Sequence, residues 1–490
     1  MHVDGMKRRH FLTLAALSSV AAACGADSPA DAVRPAGKPA FRTRLRIPPL
    51  LEPKAGKDGV RRFDLTMQRG RTAILPGALA GTWGFNGSFL GPTIRASRGD
   101  RVRMAVTNRL QEASTVHWHG LRLPAEMDGG PHQTIEPGAT WTPHWTIDQP
   151  AATSWYHPHP HGRTATHTYR GLAGMFIIDD DRPTGLPERY GVDDIPLILQ
   201  DKRFAPDGSP AGDPLKGTFG ILGDHMLVNG TYGPFLEVTT ERVRFRVLNG
   251  SNARMYHLSF ADRRGFHVVG NDQGLLAAPV PVDRISLTPG ERVEIVAAFA
   301  AGEQVLLRTL SGSDDIDEGD FDLLKIVAAP RLAASPPLPA RLADTAPITA
   351  PPGARVRRFR LNGHDAINGK EMDLSRIDEV VPAGATEIWE IENTVYAHNF
   401  HIHEVALQVL DVDGEKPPAY ASGHKDTVYV PPKSTVRLAV RFGRFTDPAT
   451  PYMYHCHILR HEDSGMMGQF VIVRPGTEDR TPRTIAAHHM

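Results

Sequence analysis

Cysteine is scarce in this sequence: among 490 residues there are two, Cys24 and Cys456. They cannot form a disulfide framework, and a chain this long buries enough surface without one. An excess of charge of one sign is also missing. Lys and Arg number 55 together, as do Asp and Glu, so the formal net charge is zero. No basic surplus exists to neutralise phosphates, which argues against a nucleic-acid or other polyanionic partner. Long apolar runs are absent. The stretch from Phe11 to Ala23 holds about a dozen residues, short of the roughly 20 that span a bilayer.

That stretch suits an export signal. Lys7-Arg8-Arg9 gives a basic start, and the apolar run ends in small side chains. Arg8-Arg9-His10-Phe11-Leu12 resembles a twin-arginine signal, a route for proteins exported already folded. Ala21-Ala22-Ala23-Cys24 also resembles a lipoprotein cleavage site that would lipidate Cys24, the alternative being an ordinary signal with an incidental cysteine. The expected location is the periplasm or cell surface, with a lipid on Cys24 as the one route to a membrane. Residues 1–24 are read as signal. Residues 25–44, opening on a stretch rich in Ala, Pro and Asp, are read as a flexible tether.

What the sequence has in plenty is β pattern. Residues 101–106, 243–248 and 436–440 alternate apolar and polar side chains, as half-buried strands do. The 46 glycines and 41 prolines interrupt such runs at short intervals, a signature of β-sandwiches or barrels. The length predicts about three domains. The run Asp179-Asp180-Asp181-Arg182-Pro183-Thr184-Gly185 closes a first unit, and Pro-rich residues 329–352 link the second to the third. The expected units are 45–182, 183–335 and 345–476, with a tail at 477–490. Pro-Gly turns around Pro137, Pro289 and Pro382 give a loose internal echo.

Histidine is abundant, at 23 residues, and much of it falls in four motifs. These are His117-Trp118-His119-Gly120, His157-Pro158-His159, His398-Asn399-Phe400-His401-Ile402-His403 and His455-Cys456-His457-Ile458-Leu459-Arg460-His461, the last followed by Met466. The first two lie in the first unit and the last two in the third. On extended chain residues i and i+2 share a face, so each His-x-His pair offers two imidazoles on one side, roughly 6 to 7 Å apart. Four such pairs exceed the needs of one metal. Imidazole alone leaves copper, zinc, iron and nickel open and disfavours Mg and Ca.

The fourth motif narrows the choice. Cys456 lies between His455 and His457, so it faces the opposite way. By the same parity His398 faces away from His401 and His403. Two histidines, a thiolate and a distant thioether form the blue-copper electron-transfer set, and zinc rarely recruits a thioether. One segment then carries a one-electron site on one face and cluster ligands on the other, separated by on the order of 10 Å of covalent path.

In this order the four motifs resemble those of the multicopper oxidases: laccases, copper-efflux oxidases, spore-coat laccases and bilirubin oxidases. The resemblance runs from about residue 45 to 475 and includes Asp148 to Tyr156, Gly171 to Met175 and Asn249 to Arg254. It implies an all-β fold of three cupredoxin-like Greek-key β-sandwich domains and four copper ions. It assigns a type 1 copper to His398, Cys456, His461 and Met466, and a type 2 copper to His117 and His401. The type 3 pair falls to His119, His157 and His457 on one side and His159, His403 and His455 on the other. The implied partners are O2 and a small reductant, in a monomer. Asp128 resembles the family's proton-relay acid, with Glu462 and Asp463 as further candidates, the alternative for those two being a solvated surface pair.

Other histidines lack ligand spacing: His132, His144, His167, His225, His257, His267, His364 and His424 are expected at the surface or as satisfied core residues, and His488 and His489 at a frayed end. His161 is expected to pack behind the ligands, Met467 in the core, and Trp118 and Trp155 against the cluster. Copper-efflux oxidases carry a methionine-rich insertion, but the corresponding stretch here, residues 370–381, holds only Met372. An open type 1 rim with an exposed histidine edge is therefore expected, favouring phenols and aromatic amines. Oxidation of Cu(I) or Fe(II) is the alternative, ahead of a copper-free cell-division scaffold or an electron-transfer cupredoxin.

Overall fold

The computed structural model describes residues 38–485 apart from 57, 181 and 183. The signal at 1–24, the lipid site Cys24, most of the tether and the terminal His488 and His489 lie outside the described residues. Six sheets pair into three two-layer sandwiches. In the first, a sheet built on Arg61–Thr72 and Arg101–Asn108 faces one made of Ile94–Ser97, Ala152–Tyr156 and Gly174–Asp179. Arg101–Asn108 alternates as its sequence predicts, with Val102, Met104 and Val106 turned inward onto a core that includes Phe63, Ile94 and Phe176. The second and third sandwiches enclose cores around Phe245 and Leu324, and around Trp389 and Phe470. The architecture is all-β and cupredoxin-like, as expected. Among the described residues no helix is long and apolar enough to cross a membrane.

Two segments lie elsewhere than their sequence suggested. The tether was expected to run to residue 44 and the first unit to start at 45. Instead Thr43–Arg44 pairs in parallel with the middle sandwich's strand Pro234–Thr240, and Leu45 is buried in that sandwich's core. An unpaired sheet edge and an apolar side chain dock this piece. The stretch after 476 is also anchored as far as it is described: Thr484 bridges to Arg376, and Ile485 packs on Ile377, Val380 and Val471.

Two helices matter for the site, α1 (Thr164–Arg170) and α2 (Leu459–Asp463). The site itself is set by two narrow strand pairings. In the first unit the backbones of His117 and His157 exchange hydrogen bonds of 2.8 and 3.2 Å. In the third, His398–Ile402 runs antiparallel to Tyr452–His455 with His401 opposite His455. Each pairing sets one His-x-His segment beside another.

Candidate metal centre

The sulfur group forms where Tyr452–His455 runs into α2. Cys456 Sγ lies 3.5 Å from His398 Nδ1 and 3.4 Å from His461 Nδ1, and those two nitrogens are 3.1 Å apart. All three residues are fully buried, as is Met466, whose carbonyl accepts the Cys456 N–H at 3.1 Å. Burial pushes the thiol up to about 12 and holds His398 down at about 3. Two neutral imidazoles and a thiol thus converge with no charge between them.

On the other face sit eight imidazoles, each at most 1% exposed. Rings from the first unit stack on rings from the third: His117 on His403 at 3.8 Å and His119 on His401 at 3.7 Å. His159, His403 and His455 bring ligand atoms within 4.8 Å of one another, with Nε2 of His455 3.2 and 3.3 Å from those of His159 and His403. His457 lies 5.1 Å from His119 and 5.3 Å from His157 between ring centres. His117 groups closely with both His119 and His157, and with His401 and His403. Burial first, then crowding by neighbouring imidazoles, holds His117, His401 and His403 well below the usual histidine range.

The donor set fits copper. Ligating imidazoles turn their second ring nitrogen to an acceptor. Here His117, His157 and His401 use Nδ1 on the carbonyls of Asp128, Pro158 and Asp426, at 3.0, 2.8 and 2.9 Å. His119 uses Nε2 on Asp426 Oδ1 at 3.0 Å. The opposite nitrogens, His117 Nε2, His119 Nδ1, His157 Nε2 and His401 Nε2, are buried without partners. Such lone pairs aimed into a closed space are what a metal satisfies.

Comparison with known proteins agrees. Two family models, both described as multicopper oxidase, match residues 66–183 and 345–476 respectively. The multicopper oxidase mco of Staphylococcus aureus is 35% identical over 441 residues, covering 88% of this chain and 93% of its own. The chain belongs to the multicopper oxidase family. The crystal structure of a laccase from Pediococcus acidilactici superposes with a TM-score of 0.83 at 38% identity, over 90% of this chain and 95% of the laccase. The cell division protein FtsP of Sodalis glossinidius is 40% identical over 446 residues, with 88% of this chain and 92% of that protein covered. As a multicopper oxidase the protein is a copper-using oxidoreductase acting on O2 and a reducing substrate.

Carboxylates surround the oxidase's cluster. Asp128 Oδ2 accepts from His403 Nδ1 at 2.7 Å, and Oδ1 has no partner. Burial, then Glu404, raises the Asp128 carboxyl well above its usual range. The adjoining Gly129 has φ +81°, and a Cβ there would collide with the Val116 carbonyl, so this turn requires glycine. Glu462 is 1% exposed, with its oxygens 3.4 Å from His159 Nδ1 and 3.2 Å from His455 Nδ1. It is no surface residue. Asp463 does not reach the cluster: its two oxygens accept the Thr164 and Ala165 N–H groups, both at 2.8 Å, at the start of α1.

Other expectations sort by parity and cover. Trp155 stacks on His157 at 4.0 Å, but Trp118, one residue from a ligand on extended chain, points the other way onto Trp145. His161 is exposed rather than packed behind the ligands. His167 and His257 are satisfied core residues, bonded to Ser114 and Glu112 and to Ser286 and Asp317. The open rim expected at the sulfur group is absent. His398 and His461 are fully buried, and His461 Nε2 donates to the carbonyl of Thr218, at 2.9 Å, with Phe219 beside it.

Sequence reasoning missed Asp426. Arg292 grips it with two bonds of 2.7 and 2.6 Å, Gln273 adds one of 2.6 Å, and its other contacts reach His119 and Thr427. The middle unit lacks ligand motifs, yet it supplies Arg292, Gln273 and Thr218. It also supplies Gly290, where a Cβ would press on His457 at 3.0 Å. The available signal was Lys425-Asp426-Thr427, charge at the start of a strand of otherwise buried character.

Proposed function

We propose that this protein is a laccase-like oxidase with four coppers. It makes four one-electron oxidations of phenols or aromatic amines and reduces O2 to two waters. The carrying observation is the juxtaposition itself: eight buried imidazoles, four of which (His117, His119, His157 and His401) turn a nitrogen without a partner away from their hydrogen-bond acceptors, and a buried cysteine one peptide bond from two of the eight. The ligand roles proposed are those of the sequence analysis: His398, Cys456, His461 and Met466 for type 1; His117 and His401 for type 2; His119, His157, His457 and His159, His403, His455 for type 3. Copper bound in these groups supplies the redox chemistry.

The chain's own residues do the rest. Cys456 joins His455 and His457 covalently, so an electron leaving Sγ crosses no solvent gap. Asn399 Oδ1 accepts the His457 N–H at 2.7 Å and meets Sγ at 3.5 Å, fixing both sides of that path. Complete burial keeps bulk water from the imidazole cluster. Burial favours the protonated form of Asp128, whose Oδ2 accepts from His403 and whose Oδ1, 3.5 Å from His117 Nδ1, is free to carry a proton, and Glu462 stands against His159 and His455. The reductant meets Thr218, which is exposed, rather than an imidazole edge.

Organic reductants fit better than Cu(I), because residues 370–381 hold one methionine and the covering Thr218 and Phe219 carry no thioether. The export signal around Arg8-Arg9 supports a periplasmic or surface location. A second reading, a scaffold that binds no copper, is motivated by the 40% identical cell division relative. Copper stoichiometry, with O2 uptake measured on a phenol and on Cu(I), tests the choice of reductant and the scaffold reading. About four coppers with the phenol faster is expected. Strong preference for Cu(I) shifts the reading to metal oxidation, and absence of copper and of uptake to the scaffold.

A further inference from the structure

The whole-chain charge balance conceals a local excess. A cavity of about 950 Å³ opens where the three sandwiches meet, lined by five arginines against two aspartates. Three of the arginines have carboxylates: Arg341 and Arg182 share Asp344, and Arg98 reaches Asp148 at 3.8 Å. Among the described residues Arg122 and Arg441 have none. The five fully buried arginines, Arg244, Arg246, Arg254, Arg292 and Arg357, each hold an Asp or Glu, whereas Arg122 and Arg460 are half-buried and form no such pair among the described residues. Arg122 Nε is buried with no partner.

We propose that this cavity binds a multivalent oxyanion, a phosphate or a polycarboxylate, between Arg122 and Arg441. Guanidinium forks match such oxygens two at a time, and burial strengthens the pairing. The two cations are close enough to disfavour each other: after burial, Arg441 is the next cause lowering Arg122, ahead of the opposing pull of Glu404, Asp148 and Asp426, and both arginines also depress His424 on the same wall. An anion removes that repulsion. Gln273 completes the lining. It turns Nε2 to the Gly120 carbonyl and Asp426 and leaves Oε1 buried without a partner, an acceptor for a protonated oxyanion. The occupant would sit three hydrogen bonds from His119, through Gln273 and Asp426.

Isothermal titration of the copper-loaded full chain with inorganic phosphate, and separately with citrate, at constant ionic strength tests this. Arg441 is exposed, so Arg441→Gln is the first variant, with Arg122→Gln as the second. The expected result is saturable binding of one or both anions to the wild type, weakened at least tenfold in Arg441→Gln with its blue absorption unchanged. Citrate competing with phosphate extends the class to polycarboxylates, and phosphate binding alone restricts it to phosphate. No saturable binding of either anion, or equal affinity in wild type and Arg441→Gln, overturns the site.

Discussion

Replacing Arg292 by methionine tests the strongest contact of the buried charge network behind the cluster, in which Asp272 and Glu291 also hold Lys425. The guanidinium is fully buried and makes two bonds to Asp426 and three, each 3.0 Å, to the carbonyls of Thr153, Gly290 and Asp272. Arg292→Met keeps the length and apolar stem but leaves Asp426 charged and uncompensated. Breaking a buried pair from one side costs about 3–5 kcal/mol. Asp426→Asn in the same chain removes the stranded charge, so the double variant should recover part of that loss, by an interaction of about 0.5–3 kcal/mol. Guanidinium chloride unfolding of the copper-free chain reads both. The sign with pH is also fixed. In the wild type burial acts to raise the Asp426 carboxyl, and Arg292, Gln273 and Thr427 outweigh it and hold it below its usual range. Its contribution is present above the unfolded pKa and lost as pH falls through the lower folded value. Without Arg292, burial dominates and the folded pKa rises above the unfolded one. The deficit of Arg292→Met is then largest at neutral pH and shrinks on acidification, a slope absent from the double variant. A single variant within about 0.5 kcal/mol of wild type, or a double variant weaker than the single, would refute the reasoning.

Cys456→Ser should abolish the intense blue absorption and turnover while far-UV circular dichroism stays native; a blue Cys456→Ser protein removes Cys456 from the ligands. His401→Ala should keep the blue band and stop O2 consumption, and full activity there would take His401 out of the cluster. Asp128→Asn should lower kcat by about a hundredfold with copper content unchanged, the size of a lost general acid; unaltered kinetics would make Asp128 structural. Asp463→Ala should cost about 0.5–2 kcal/mol, as loss of a helix cap does, with kcat unchanged. A large fall in kcat at full copper content would return Asp463 to the proton path.

Strand parity made the metal centre legible. His117 with His119, and His398 against His401, could be sorted to faces from spacing alone, because extended chain alternates strictly. The same rule gives Trp118 its true direction. What spacing could not reveal is anything carried by the middle sandwich. Arg292 lies in a strand that alternates like any other, and its partner Asp426 is 134 residues away, so only the fold brings them together. Thr218 was equally hidden, because a backbone carbonyl covering His461 leaves no side-chain signature. Leu45 misled for a simpler reason: a short docked strand after a Pro-rich stretch reads as more tether. Glu462 and Asp463 looked alike in sequence and proved to have opposite surroundings, since consecutive side chains leave α2 in different directions.

The stacking of first-unit rings on third-unit rings has a consequence for biogenesis. His159 and His455 touch across 296 residues of sequence, so no chain that lacks the third unit can present the complete eight-imidazole cluster. Metal capture by the whole cluster therefore reports that synthesis has finished and that all three sandwiches have docked. A precursor stalled, truncated or misassembled at any earlier point offers at most a part of the cluster, such as the His117, His119 and His157 group of the first unit, so that completing the cluster checks the whole molecule.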